Sequence, residues 1–282
     1  MDIRVQAERA EKLRKLHHGP KILALPNAWD VVTARILEEA GHPAVATSSA
    51  AVAFSLGYPD GQRISRNEML EVVSRIAHRV HVPVTADMEA CYGTSPEDMA
   101  ETAKELIAAG AVGLNFEDVI GDDQSSHVEV GLQVKKIRAI RETSASLGVP
   151  LVINARTDVY LMPIGPANTR FERTVERLRA YHEAGADCLF APGVFDREII
   201  GKLVKALNAP LNILASQGCP SLAELEALGV ARVSAGSSAM RAAMGAFRRV
   251  AKDWMDHGTY DSLTQVTIPY GELNDLMARQ PS

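Results

Sequence analysis

The sequence predicts a (β/α)8 barrel of TIM type, and three observations carry that prediction. First, short apolar runs begin near Ile22, Ala44, Val84, Val112, Leu151, Cys188, Leu211 and Arg232, each followed by a helix-period segment. Eight strand-then-helix phrases are the number that closes such a barrel. Second, the runs lack strict polar alternation, as parallel strands covered on both faces do. Third, the joins repeat. Glu39-Ala40-Gly41, Ala108-Ala109-Gly110, Glu183-Ala184-Gly185 and Ala227-Leu228-Gly229 each put a glycine between a helix end and a strand, where a left-handed cap carries no Cβ penalty. A doubly wound open sheet is the alternative, but neither GxGxxG nor GxxxxGK[ST] occurs.

Taken in order, Met1 to Leu16 reads as an amphipathic helix, followed by the apolar run Lys21 to Leu25, which Pro26-Asn27 closes. A helix from Trp29 to Ala40 leads to the second strand and its Thr47-Ser48-Ser49 end. The third strand follows Pro83 and stops on Asp87-Met88-Glu89, before a helix opening at Ser95-Pro96-Glu97-Asp98. The fourth stops on Glu117-Asp118, and the fifth, after Val149-Pro150, on Asn154-Ala155-Arg156-Thr157-Asp158. Strands six to eight end near Pro192-Gly193, Ser216-Gln217-Gly218 and Ala235-Gly236-Ser237-Ser238. The 282 residues suit one barrel domain over 1–282, with 237–282 as a C-terminal helical segment.

Composition excludes several function classes. Net charge is -5 and the basic residues are scattered, so no nucleic-acid surface is indicated. Cys91, Cys188 and Cys219 are an odd, widely spaced set without a CxxC pair, which argues against a disulfide framework and fits a reducing, cytoplasmic setting. No apolar run approaches membrane-spanning length and no signal-type segment leads the chain, so no membrane partner is expected.

A barrel places chemistry at the C-terminal ends of its strands. Two neighbouring ends carry acids, Asp87 and Glu89 on one, Glu117 and Asp118 on the next. Such a cluster is costly unless a cation neutralises it, and a hard divalent metal such as Mg²⁺ is the natural occupant. Solvated loop acids or helix caps are the plain alternative. Arg156 can grip a substrate carboxylate as a planar fork, or serve as an ion-pair partner for Glu117 or Asp158. The Thr47-Ser48-Ser49 turn can offer backbone N–H groups to an oxyanion. Asn154 can bond a substrate or cap its strand. Tyr160 and the Met162-Pro163 run can form a lid or an ordinary loop. For Ser237 and Ser238, N-capping is preferred to a phosphate site.

These residues carry a family resemblance. Leu25-Pro26-Asn27-Ala28-Trp29-Asp30, Thr47-Ser48-Ser49-Ala50 leading to Leu56-Gly57-Tyr58-Pro59-Asp60, Asp87-Met88-Glu89 with Tyr92-Gly93, Phe116-Glu117-Asp118 and Asn154-Ala155-Arg156-Thr157-Asp158 together resemble the isocitrate lyase/phosphoenolpyruvate mutase superfamily. The resemblance implies cleavage or formation of a C–C or P–C bond beside a carboxylate-bearing carbonyl, through a Mg²⁺-stabilised enolate. It implies Asp87 as principal metal ligand, with Glu89 and Glu117 acting largely through bound waters. It also implies Asp60 as an acid near the metal and a gating loop, Ser48 and Ser49 as the oxyanion turn, and Arg156 as the substrate-carboxylate arginine.

One departure matters. Lyases of the superfamily carry a Lys-Lys-Cys-Gly-His-type loop after the fourth strand and the mutases place a lysine there, whereas here Asp118 to His127 contains neither Cys nor Lys. His127 is the obvious remaining proton carrier, a solvated loop histidine being the plain reading. Cys91 stands where related sequences often have glycine and reads as a small buried residue. The expected function is a Mg²⁺-dependent, 2-methylisocitrate lyase-like enzyme for a small 2-oxo or 2-hydroxy carboxylate. A phosphonopyruvate mutase or hydrolase and an oxaloacetate decarboxylase are alternatives, and a non-catalytic dicarboxylate-binding barrel is the alternative of another class. Apolar residues at Met240, Met244, Phe247, Val250, Ala251 and Trp254 exceed what one barrel-closing helix needs. With the resemblance, they imply a homo-oligomer, a dimer or a tetramer of helix-swapped dimers.

Overall fold

Nine short parallel strands wind around one axis in a computed structural model that describes residues 1–119, 126–162, 164–265 and 267–279. Strand β1 (Leu23–Leu25) pairs with β9 (Arg232–Ser234), and β2 (Asn27–Ala28) pairs with β3 (Val45–Thr47). Between lie β4 (Val84–Asp87), β5 (Gly113–Glu117), β6 (Val152–Arg156), β7 (Cys188–Phe190) and β8 (Leu211–Leu214), each paired in parallel with its sequence neighbours. The ring therefore closes through β1 and β2, which occupy one of its eight positions.

The first strand differs from the single run the sequence predicts. It is broken at Pro26, which has no N–H to give a ladder, and the chain changes partners there from the last strand to the second. Side-chain bonds from Asn27 bridge this seam. Its Nδ2 donates to the Thr47 carbonyl (2.6 Å), and its Oδ1 accepts from the backbone N–H groups of Ala235 (2.9 Å) and Gly236 (2.8 Å).

Helices Val31–Glu39, Arg66–Ala77, Pro96–Ala108, Val130–Ser146, Arg170–Glu183, Arg197–Leu207 and Leu222–Ala227 cover the barrel. Local sequence explains their starts. Asp30, Ser65, Ser95 and Ser221 each form a capping box with the residue three places on, and Pro96 fills a first-turn position whose N–H needs no partner. The expected glycine caps are present, for example Gly110 at φ +93° and Gly185 at φ +109°.

The N-terminal helix Ile3–Leu16 seals the end of the barrel where the strands begin. Gln6 Nε2 donates to the carbonyls of Ile107 (2.8 Å) and Ala111 (2.9 Å), and Arg14 reaches the Pro150 carbonyl and Asp187. Leu13 presses so closely on Gly113 that a Cβ there would stand 2.9 Å from Leu13 Cδ2. Chemistry is thereby confined to the opposite end.

The segment after β9 behaves differently. Helix Ser238–His257 buries only Met240, while Phe247, Trp254 and Met255 are 66%, 55% and 85% exposed. Helix Tyr270–Ala278 returns to the barrel, where the Leu276 carbonyl accepts from Arg35 Nη2 at 2.8 Å. Among the described residues no helix is long and apolar enough to cross a membrane.

His17, buried just beyond the sealing helix, yields a pH prediction. Burial, reinforced by the Arg232 charge, pushes its pKa down to about 4. The unfolded chain takes up that proton near its ordinary value and the folded chain does not. Stability contributed by neutral His17 is therefore complete above about pH 6.5 and declines as pH falls toward 4, by about 3 kcal/mol in total. Melting temperatures at pH 7 and pH 4.5 should converge in His17→Leu relative to wild type; an equal gap in both proteins would refute the assignment.

Candidate active site

The site is assembled at the open end of the barrel from strand termini. A cavity of about 230 Å³ is lined by Asn27, Ser48, Ser49, Ala50, Asp60, Asp87, Asn115, Arg156, Leu161, Phe190, Pro192, Leu214, Ser234, Gly236 and Ser237. A larger hollow, about 1030 Å³, lies at the sealed end beside Leu16, Ile22 and Leu23, with a mostly apolar wall edged by charged residues of the N-terminal helix such as Glu8, Glu11 and Lys15. The smaller cavity holds the convergent carboxylates, arginine and amides, and is the candidate site.

Asp87, the last residue of β4, is the better anchored of the two acids that line the cavity. Its Oδ2 accepts from Ser49 N–H (3.0 Å) and Ser49 Oγ (2.8 Å), its Oδ1 accepts from Asn115 Nδ2 (3.2 Å), and its own N–H donates to Thr47 Oγ1 (2.9 Å). Beyond it the chain turns through left-handed residues, with Glu89, Cys91 and Tyr92 at φ +50°, +62° and +56°. The positive φ gives the physical reason for a glycine-like position at Cys91, which is fully buried as expected. This turn is tied down on two sides. The Glu89 carbonyl accepts from Glu117 N–H (2.9 Å), and Gln62 Oε1 accepts from Tyr92 N–H (2.9 Å). The Gln62 backbone bonds the Glu89 carboxylate in return, which brings the Asp60 loop to the cavity mouth.

The electrostatics follow from burial first and from crowding second. Burial, then Asp87 and Asp60, push the Glu89 carboxyl up to about 8. Burial raises Glu117 well above the usual carboxylate range despite Arg156 beside it. Asp60 is raised by loss of solvent on its inner side and by Asp87. Arg156 answers part of this charge. Its Nε and Nη2 clasp the two oxygens of Asp158 (2.6 and 2.8 Å), its Nη1 meets Glu117 (2.7 Å), and its guanidinium lies 5.8 Å over the Phe190 ring. One face of the fork is thus committed to Asp158 while the group still lines the cavity.

Several expectations need adjustment. Among the described residues no three His, Cys, Asp or Glu side chains converge as a ready-made metal cage. Glu117 is drawn to Arg156 and Glu89 to the Gln62 backbone, so Asp87 alone of the three lines the cavity. The backbone N–H groups of the oxyanion turn are already occupied, Ser48 donating to the Ala28 carbonyl and Ser49 to Asp87. The next amide, Ala50, lies on the cavity lining in the first helical turn, where donors lack intrahelical partners. Thr47 and Asn154 sit below the cavity, Thr47 holding Asp87 and Asn154 Nδ2 donating to Asn115 Oδ1 (2.8 Å). Ser237 makes no side-chain cap bond, contrary to the N-cap expectation, and faces the cavity instead.

Asp118 turns away from the acids. It is fully buried and accepts from Thr157 Oγ1 (2.7 Å), Tyr181 OH (2.8 Å), Arg177 Nε (2.7 Å) and Asp158 N–H (3.1 Å). Arg177 also bonds the Val128 carbonyl, and Val128 N–H donates to the Asp118 carbonyl (2.8 Å), closing the base of the connection after β5. His127 stands at that base, outside the cavity lining, its pKa lowered by burial against the opposing pull of Asp118. The rest of the departing loop, residues 120–125, and Pro163 lie outside the described residues.

Sequence reading missed Asn115, Leu161, Phe190 and Leu214. Asn115 was available from alternation, since it precedes Glu117 by two on the same strand. Leu161 enters because Gly193, at φ +83°, lets its loop approach the Tyr160 carbonyl, where a Cβ would stand at 3.0 Å.

Comparison with known proteins identifies the family and agrees with the fold. The phosphoenolpyruvate phosphomutase family matches residues 13–255. The chain belongs to the phosphoenolpyruvate mutase/isocitrate lyase superfamily. It is 31% identical to an oxaloacetate decarboxylase of Pseudomonas fluorescens, covering 89% of this chain and 82% of that one. It is 28% identical to a 2-methylisocitrate lyase of Bacillus subtilis, covering 90% and 84%. Among solved structures, 2,3-dimethylmalate lyase superposes with a TM-score of 0.83 at 26% identity, covering 96% and 95%. The superfamily's barrel with C-terminal helices is the fold found here, and its members act on carboxylates.

The Asp118 clamp generates a stability prediction. Arg177→Met leaves a buried carboxylate without its cation and should cost about 3 kcal/mol, whereas Lys202→Met, which removes an exposed partner of Glu198, should leave stability almost unchanged. Urea unfolding of both variants checks this, and similar losses would show that the clamp adds nothing beyond a surface pair.

Proposed function

We propose that this superfamily enzyme uses Mg²⁺ to break a C–C bond next to the carbonyl of a small 2-oxo carboxylate, with an oxaloacetate-type decarboxylation favoured over a tricarboxylate lyase reaction. The observation that carries this reading is the charge of the cavity wall. Among the described lining residues Arg156 is the sole cation, set against Asp60 and Asp87. Residues 120–125, Ile-Gly-Asp-Asp-Gln-Ser, add no basic residue to the sequence of the departing loop. A tricarboxylate would bring three negative charges to a site with one arginine. Decarboxylation also depends less on the absent loop cysteine, because the bond breaks with loss of CO2 and the remaining enolate can take its proton from another acid or from water.

The residues fit a hard cation by their chemistry. Asp87, Glu89, Glu117 and Asp60 are oxygen donors, and burial together with their mutual repulsion raises the pKa of three of them, a condition a divalent ion relieves. Asp87 would hold the ion directly, with Glu89 and Glu117 reaching it through water. When bound, Mg²⁺ supplies positive charge for the enolate oxygen that develops as the bond breaks. Arg156 orients the substrate carboxylate from the side opposite Asp158. Leu161, Phe190 and Leu214 form the apolar wall that excludes water from the reacting carbon. Asp60 at the mouth and His127 at the loop base are the candidates for delivering a proton to the product carbanion.

The second reading, a lyase on a 2-hydroxy acid, is supported by the relatives that carry that name. A product panel with Mg²⁺ separates the two. Oxaloacetate should yield pyruvate well above the rate of the Asp87→Ala protein, which also controls for decarboxylation by free Mg²⁺. Pyruvate from 2-methylisocitrate and none above control from oxaloacetate would reverse the order. Binding of a dicarboxylate with no product from any acid would leave the non-catalytic dicarboxylate-binding barrel. Arg156→Lys, which loses the planar fork and cannot satisfy Asp158, Glu117 and substrate together, should raise KM by about tenfold or more. Normal KM with a lowered melting temperature would make Arg156 a structural ion pair only.

The exposed apolar face of Ser238–His257 supports the homo-oligomer, a second copy being the occupant that the superfamily's exchanged helix supplies. Sedimentation should show a dimer or tetramer at micromolar concentration, and Phe247→Asp with Trp254→Asp should shift it toward monomer. A stable wild-type monomer would overturn this assembly.

A further inference from the structure

The axis of the barrel carries a charged side chain that the reading of the site leaves unexplained. Arg232, the first residue of β9, is fully buried and is the largest side chain so enclosed. Three strand positions separate β9 from β5 in either direction around the ring, so the two face each other across the bore. Arg232 spans that bore. Its Nη2 donates to Asn115 Oδ1 at 3.3 Å, while its Nε and Nη1 find no partner among the described residues. Asp87 is the carboxylate whose charge it feels, and burial lowers its pKa.

Asn115 converts this cation into an orientation. A side-chain amide presents an oxygen and an NH2 at similar reach, and the groups around it decide which end faces where. Asn115 Oδ1 accepts from Arg232 Nη2 and from Asn154 Nδ2 (2.8 Å), and its Nδ2 donates upward to Asp87 Oδ1 (3.2 Å). Arg232 can only donate, so it holds the amide oxygen on its own side. The reversed amide would point oxygen at a carboxylate and NH2 at a guanidinium, two repulsive contacts in place of two bonds.

We propose that Arg232 is a positioning residue for the metal-binding carboxylate. By fixing the Asn115 amide it secures Asp87 Oδ1 from below, while Ser49 secures Oδ2 from the side. Outer partners of metal ligands act in this way, and their loss weakens metal affinity without removing a ligand. The inference rests on Asp87 being the metal ligand of the proposed function.

The test is Mn²⁺ binding by calorimetry to the full chain, without substrate, in wild type, Asp87→Ala, Arg232→Met, Arg232→Lys, Asn115→Leu and the Arg232→Met/Asn115→Leu double variant. Wild type should bind and Asp87→Ala should not. Arg232→Met should weaken Mn²⁺ binding by about tenfold or more, Asn115→Leu similarly, and the double variant no further, because both changes cut one chain of bonds. Arg232→Lys keeps the charge and one donor and should fall between. Losses that multiply in the double variant would overturn the relay through Asn115. Unchanged Mn²⁺ affinity in Arg232→Met, or in Arg232→Lys if the methionine variant does not fold, would make Arg232 structural and overturn the inference alone. A wild type that does not bind Mn²⁺ would overturn the metal reading and this inference together.

Discussion

Asn27 makes the contact on which the remaining geometry depends. A (β/α)8 ring has to close, and here closure falls on a strand interrupted by proline. The Asn27 amide supplies bonds that the broken ladder cannot, joining the Thr47 carbonyl on one side to the Ala235 and Gly236 amides on the other. Each of those partners leads into the site. Thr47 holds the Asp87 backbone through its hydroxyl, and Gly236 and Ser237 line the cavity. The seam of the barrel and the wall of the site are therefore one structure, and closing the fold places the first acid.

Charge distribution then separates the acids into roles. Asp118 and Glu117 are adjacent in sequence, yet alternation at a strand end sends them opposite ways. Asp118 enters a dry pocket with Arg177, Tyr181 and Thr157, which satisfy it completely and leave it no part in chemistry. Glu117 faces the open end with Asp87 and Glu89, where one arginine shared with Asp158 is too little compensation. The uncompensated remainder is what a divalent cation would neutralise. Three arginines thus have three tasks: Arg177 stabilises the loop base, Arg156 faces the cavity, and Arg232 crosses the bore beneath it.

Much of this was legible in the sequence. The run boundaries, the glycine caps and the Ser95-Pro96 helix start are local, because caps and turns depend on residues a few places apart. The acids at Asp87, Glu89 and Glu117 and the arginine at Arg156 could be located because a parallel barrel brings every strand's C-terminal end to one face. Cys91 as a glycine-like position was also a local matter of φ. Less legible were Thr47 and Asn154, which a strand-end reading places at the substrate and the fold places one layer lower. Depth along the bore depends on strand stagger, which no single strand encodes.

By itself, the sequence determined the barrel, the order of its strands and the collection of oxygen donors at one rim, since periodicity and caps fix elements and a closed parallel sheet fixes which ends meet. Only the tertiary structure decided which donors are free. Ser48 and Ser49 spend their amides on Ala28 and Asp87, Arg156 spends one edge on Asp158, and Asn115 becomes the link between Arg232 and Asp87. The physical reason is that a buried polar group must find a partner, and across a barrel that partner can lie more than a hundred residues away in the chain, as Arg232 lies from Asn115.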